Sequence, residues 1–470
     1  MSSSPYSLQF QALPEGTGSL MNEVAENEFK DIELKPWVGD LPQAEDLLWL
    51  PVHRLSVLLR ERHISPVELT RKYLDRLSQI DESLICVVNF LEESAFDDAR
   101  QAEEEISQGR WRGPLHGIPW GVKDIFTTRE APTTLGVEQF QSRVIDEDAN
   151  VVQRLREAGA ILIAKLSTGA LAIGDEWYRG QTRNPWNTSE GSSGSSAGPA
   201  AATAAAGVAF GIGAETLGSI TSPASVCGVS ALRPTFGRVG RSGCMTLCSS
   251  LDKVGPMARS IEDCAIVFNS IHGIDPLDPS TLSTRFEWGR DLNLSGIKIG
   301  YADGTPPEFL ELLGNLGAEP VRTSPGFLPE VESVVGIVNA VESAASLAWL
   351  PNEVVPDSLR NVLEQSASVT AVTYLNAISK RYELMLEMKK FFRDVDLYAS
   401  LHGDVLLTNL TGHPAVVLPI GFEGGRPKMI KLIGDLFADD KLLSVAHAYQ
   451  AATEWHLRRP EIEWPESPMP

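Results

Sequence analysis

Ser189-Glu-Gly-Ser-Ser-Gly-Ser-Ser-Ala-Gly-Pro-Ala200 and the turn Gly213-Ala-Glu-Thr-Leu-Gly-Ser-Ile-Thr-Ser-Pro-Ala-Ser225 decide how the chain is to be read. By composition the first stretch is a flexible Gly/Ser linker. A linker joins two cores, whereas this one runs straight into the alanine-rich segment 200–206 and the apolar "VAFGIG" at 208–213. Core-forming sequence right behind it, with no break, places the stretch at the centre of one domain.

Working outward, short apolar runs alternate with helical patterns. "CVVNFL" (86–91), "IPWGVKDIF" (118–126), "AILIAKL" (160–166) and "VAFGIG" read as strands, and "EESAFDDARQAEEEISQG" (92–109) reads as an acidic, solvent-facing helix. Ser65, Pro66 and Glu68 give a helix start by cap, first-position proline and capping-box glutamate, with Leu69, Tyr73, Leu74 and Leu77 on its buried face. Further on, "GIKIGYA", "AVVLPIGF" and "MIKLIG" read as strands, and "VESAASLAW", "KRYELMLEMKKFFRDV" and "DDKLLSVAHAYQAATEWHLR" as helices. This alternation predicts an α/β fold: a single large domain whose central mixed sheet is covered by helices on both faces. Residues 1–45 mix Pro, Gly, Ser and acidic residues without periodicity and read as a loosely ordered leader, leaving 46–470 as the folded domain.

Composition narrows the function. The 470 residues are 43% hydrophobic and 22% charged, an ordinary globular balance. A formal net charge of −22 sets like charge against phosphate backbones and anionic lipid, which disfavours nucleic acid and membrane surfaces as partners. No run reaches the ~18 apolar residues that span a bilayer, and the first residues lack a basic and apolar export signal, so a cytoplasmic location is expected. The five cysteines, Cys86, Cys227, Cys244, Cys248 and Cys264, are odd in number and lack paired Cys-x-x-Cys spacing. They read as free thiols in a reducing compartment, with Cys244 and Cys248 as the pair to test for metal.

Residues 194–198, Gly-Ser-Ser-Ala-Gly, match the G-x-S-x-G nucleophile elbow of serine hydrolases, with His413 and His447 downstream as candidate bases. An elbow needs an apolar strand directly before it. The preceding "TRNPWNTSEGSS" is turn chemistry throughout, so the context fails the motif.

Three segments in order do cohere: "GIPWGVKDIF" with Lys123, "GSSGSSAG" with Ser195 and Ser196, and "GAETLGSITSPASVCGVSALRPTFGRVGRSG" with Ser219. Together with "NPWN" (184–187), "SLDKVGPMARSIEDCA" (250–265) and "NLTGHPAVVLPIGF" (409–422), they resemble the amidase signature family over about residues 50–460. The resemblance implies Ser219 as acyl-forming nucleophile, Ser195 as relay on a cis peptide, and Lys123 as base. Its spacing picks the serine 24 positions before Ser219, which is Ser195, and leaves Ser196 as a supporting serine. It also implies an oxyanion hole from the backbone N–H groups of Thr216, Leu217, Gly218 and Ser219, no cofactor or metal, and room for a homodimer.

Each role has a physical basis. A serine hydroxyl becomes a useful nucleophile when a neighbouring base takes its proton, and lysine can do so only when neutral. Lys123 therefore has to fall from about 10.4 to near 7, which burial without a carboxylate partner achieves. Adjacent Asp124 would oppose this if it pointed inward, so it is expected to point elsewhere. Ser222 and Pro223 read as cap and first residue of a helix, placing free N–H groups beside Ser219, and such donors contribute about 3 kcal/mol each to a tetrahedral intermediate.

Some residues depart from the family pattern. Glu215 stands for an aspartate, Leu217 for a glycine and Thr221 for an arginine. Loss of that cation favours a small uncharged or aryl/acyl amide, with esters and carbamates open to the same acyl-serine chemistry. Trp177 and Tyr178 are candidates for the substrate pocket. The expected activity is hydrolysis of a C–N bond by a stand-alone amidase, the alternative being a glutaminase-type subunit of a tRNA-dependent amidotransferase. A third reading, a binding protein that has lost the chemistry, sits poorly with Lys123, Ser195 and Ser219 all present.

Overall fold

A computed structural model describes residues 34–290, 293–326, 329–401 and 404–462. Fifteen strands occur among them. Three come first: β1 (Val87–Phe90), β2 (Pro119–Lys123) and β3 (Ile161–Leu166). Two small hairpins follow, β4 (Glu176–Trp177) with β5 (Gly180–Gln181) and β6 (Arg183–Asn184) with β7 (Asn187–Gly191). The middle of the chain gives β8 (Phe210–Glu215), β9 (Ser230–Arg233), β10 (Lys253–Ala258), β11 (Lys298–Tyr301) and β12 (Glu319–Arg322). The last are β13 (Leu397–Ser400), β14 (Ala415–Glu423) and β15 (Arg426–Gly434).

Eleven of these form one mixed sheet in the order β1-β3-β2-β8-β10-β9-β14-β15-β13-β11-β12. Its centre, β2 to β14, is apolar and almost wholly buried, as a sheet covered on both faces requires. Strand β2 runs parallel to β3 and β8, and β8 runs antiparallel to β10, with Lys253 paired to Glu215. The carboxyl ends of β2 and β8 and the start of β10 therefore share one edge, where Lys123, Glu215 and Lys253 lie.

The expected strands and helices all form. Ser65 Oγ accepts the Glu68 N–H at 3.1 Å and opens helix Pro66–Leu84. Four further sheet strands, β9, β10, β12 and β13, go beyond those expected. Strand β10, "KVGPMA", carries Lys, Gly and Pro and lacks strand composition, yet it is fixed between β8 and β9 by its ladders. The alanine run forms helix Ala197–Ala204, every residue of it buried. A Cβ on Gly198 would come within 2.3 Å of the Ser167 nitrogen, so only glycine allows this approach.

Of the proposed leader, residues 1–33 lie outside the described residues. Leu34 is buried, the Trp37 N–H donates to Glu61 at 3.2 Å, and a short helix spans Ala44–Leu47. Among the described residues no helix is long and apolar enough to cross a membrane.

Candidate active site

Helix Thr221–Cys227 begins at Ile220, not at the expected Ser222–Pro223 pair. The reason lies in the strand before it. The Glu215 carboxylate reaches forward from β8 and accepts the N–H groups of Ile220 and Thr221, both at 2.8 Å. It also takes Arg233 at 2.9 Å and Asn409 at 2.8 Å. Burial alone would raise this carboxyl, but Arg233 and the N–H donors outweigh it and hold it at about 2. Glu215, visible in the sequence only as a replaced aspartate, thus pins the turn 216–219 from behind.

Gly218 takes φ +103° in that turn, a conformation open to glycine. The backbone N–H groups of Thr216, Leu217, Gly218 and Ser219 donate to no described residue, so four donors stand free together. The Thr216 hydroxyl donates to Asp252 at 2.6 Å. Asp252 in turn accepts the N–H groups of Leu247 and Cys248 at 2.8 and 3.0 Å, joining the turn to the loop opposite.

Across from the turn, the Gly194–Ser195 peptide bond is cis. A Cβ on Gly194 would fall 1.9 Å from the Gly174 carbonyl oxygen, which accounts for the small residue there. Ser195 is buried, and Lys123 Nζ donates to its Oγ at 2.8 Å and to the Ala214 carbonyl at 3.2 Å. Ser196 Oγ bridges the backbone of Ala214, and its N–H donates to the Ser219 carbonyl at 3.0 Å. Among the described residues no hydrogen bond joins Ser195 Oγ to Ser219 Oγ.

Lys123 is fully buried and has no carboxylate within ion-pair distance among the described residues. Burial lowers its amine to about 7, against weaker pulls upward from Cys244, Asp252 and Glu215. Asp124 points away, as expected. It pairs with Lys165 at 3.0 Å and accepts from Thr134, on the other side of β2.

Lys123, Ser195 and Ser219 line one pocket, together with Ile125, Ala172, Ala214, Thr216, Arg241, Cys244, Met245, Thr246, Leu247, Asp252, Lys253 and Val254. Its volume is about 360 Å³, part of it open to solvent. Trp177 and Tyr178 are not among these residues. Trp177 is buried in the β4–β5 hairpin with its ring edge-on to Tyr178 at 4.8 Å. His413 and His447 are elsewhere too: His413 is buried against Thr411 and Phe392, and His447 packs on Trp288.

Cys244 lines the pocket with its thiol pushed up to about 12 by burial and by Asp252, while Cys248 donates to Glu342 at 3.3 Å. All five cysteines are free, and among the described residues no cluster of His, Cys, Asp or Glu could hold a metal ion.

A family model described as Amidase matches residues 68–401. The chain belongs to the amidase signature family. It is similar to a glutamyl-tRNA(Gln) amidotransferase subunit of Moorella thermoacetica, 32% identical over 89% of this chain and 99% of that protein. The subunit of the same name from Methylococcus capsulatus is 33% identical over 86% of this chain and 97% of its own. Among solved structures, native peptide amidase from Stenotrophomonas maltophilia superposes with a TM-score of 0.79 at 27% identity, covering 88% of this chain and 98% of that one. An amidase family protein from Bacillus anthracis gives 0.77 at 25%, covering 89% and 93%. These neighbours share the overall fold. The subunits' name includes a tRNA, so the expectation that net charge disfavours nucleic acid is unsupported among these relatives.

Proposed function

We propose that the chain hydrolyses an amide C–N bond through an acyl-serine on Ser219, with Ser195 as relay and Lys123 as base. The observation that carries this is a buried lysine with no carboxylate partner among the described residues, its amine at about 7, placed 2.8 Å from Ser195 Oγ in the pocket that Ser219 lines. Neutral Lys123 accepts the Ser195 proton as Ser195 Oγ takes the proton of Ser219, and Ser219 Oγ bonds to the carbonyl carbon. The oxyanion is received by the free N–H groups of the 216–219 turn. Collapse breaks the C–N bond, and the leaving nitrogen takes the proton back through Ser195. Water then repeats the sequence on the acyl-serine. The serine–serine hydrogen bond this needs forms when substrate positions Ser219.

Two settings suit this chemistry. Similarity to the amidotransferase subunits over nearly their whole length favours a glutaminase-type subunit of a tRNA-dependent amidotransferase. A stand-alone amidase for a small aryl or acyl amide, with esters and carbamates as further substrates, is favoured by the pocket. Ile125, Ala172, Met245, Leu247 and Val254 give it an apolar part, and Thr221 stands where the family carries an arginine.

One experiment separates them. The purified chain is assayed alone on acyl 4-nitroanilides and on L-glutamine, then again on glutamine with amidotransferase partner subunits. Anilide turnover by the isolated chain supports the stand-alone setting, and ammonia release that appears only with partners supports the amidotransferase setting. No turnover in any arm overturns the hydrolase reading.

A further inference from the structure

Three basic side chains line the pocket, Lys123, Arg241 and Lys253, and the proposed chemistry leaves Lys253 unused. Lys123 is engaged with Ser195 and Ala214. Arg241 is fully committed, donating to Asp278 through Nε and a terminal nitrogen, and to Ser280 Oγ and the carbonyls of Ser249 and Asp252. Lys253 lies on the strand next to Glu215, on the same face of the sheet as Lys123, and is 3% exposed. It donates to the Leu251 carbonyl and, at 3.5 Å, to that of Asn409, and it forms no ion pair among the described residues.

The carboxylates nearest Lys253 are already taken. Glu215 serves Arg233, Asn409 and two backbone N–H groups, and Asp252 serves Thr216, Leu247 and Cys248. A buried ammonium without a counter-charge is costly. Burial, with Arg233 adding to it, pushes this amine well below its ordinary range.

We infer that Lys253 is a specificity residue that receives a carboxylate carried by the substrate away from the bond being cleaved. This rests on the hydrolase reading and names its substrate class: amides with a carboxylate at the far end of the acyl part. It also revises the expectation drawn from Thr221, because a lysine on β10 supplies the cation that the nucleophile loop lacks.

The test measures binding without turnover, in the Ser219→Ala background, by calorimetry with glutaryl-4-nitroanilide and valeryl-4-nitroanilide. These differ by a carboxylate in place of a terminal methyl. The glutaryl compound should bind at least tenfold more tightly. That preference should vanish in Ser219→Ala/Lys253→Met and persist in Ser219→Ala/Lys253→Arg, with circular dichroism checking that each variant is folded. Equal affinities in Ser219→Ala, binding of neither compound, or a preference that survives Lys253→Met would overturn the inference. Hydrolysis by the wild-type chain is read separately, so a binding preference that behaves as expected without turnover would sink the hydrolase reading and leave Lys253 as a carboxylate-binding residue of a site that does not cleave.

Discussion

Replacing Lys123 by methionine should abolish turnover and change the protein's stability by an amount that depends on pH, in favour of the variant at low pH. The ordinary value of the amine is 10.5, and burial brings it to about 7 in the folded chain. Between those values the unfolded chain holds a proton that the folded chain has released. Stability therefore rises with pH across this window and is lowest below it. With a tenfold change in proton affinity equal to about 1.4 kcal/mol, the penalty is about 5 kcal/mol at pH 6 and about 2 kcal/mol at pH 9.

Methionine removes that penalty but leaves Ser195 Oγ and the Ala214 carbonyl without their donor, which costs ~1–3 kcal/mol at either pH. The second cost cancels when the two pH values are compared. Urea unfolding of both proteins should show the methionine variant gaining about 3 kcal/mol more at pH 6 than at pH 9. A gain that is the same at both pH values, or larger at pH 9, would refute the claim that this lysine is buried without a counter-charge.

Because the base works only when neutral, kcat/KM on an anilide should fall as pH drops through about 7, to roughly one tenth of its plateau at pH 6; a profile flat from pH 5.5 to 8 would count against Lys123 as base. Glu215→Gln should destabilise the chain by about 3 kcal/mol or more, since Arg233 is left buried without its partner and two N–H groups lose a charged acceptor; an unchanged Tm would show that the carboxylate does not anchor the turn. Ser219→Ala should lose anilide turnover with its unfolding curve intact, and residual activity above a hundredth of wild type would remove Ser219 from the role of nucleophile.

Much of this site can be read from the chain because it depends on small residues in a fixed order. Gly194 and Gly198 are small because backbone and side-chain atoms approach them closely, and Lys123 ends a strand apolar enough to bury it. The anchors are harder to find. Glu215, Asp252 and Lys253 look like ordinary charged residues, and their partners, Arg233, Asn409, Leu247 and Cys248, come from segments that only the sheet order brings together. The start of the helix after Ser219 escapes a local reading for the same reason. Ser222–Pro223 is a good local start, but the Glu215 carboxylate caps the chain two residues earlier. Trp177 and Tyr178 stand out for being aromatic, a property that serves packing as well as binding, and in the fold they pack on each other.

The nucleophile is read most directly by peptide mapping with mass spectrometry after treatment with a fluorophosphonate, which bonds covalently to an activated serine. One label per chain is expected, on Ser219, with labelling much slower in Lys123→Ala and Ser195→Ala. A label on Ser195 or Ser196, or no label on a chain that still hydrolyses amides, would contradict it.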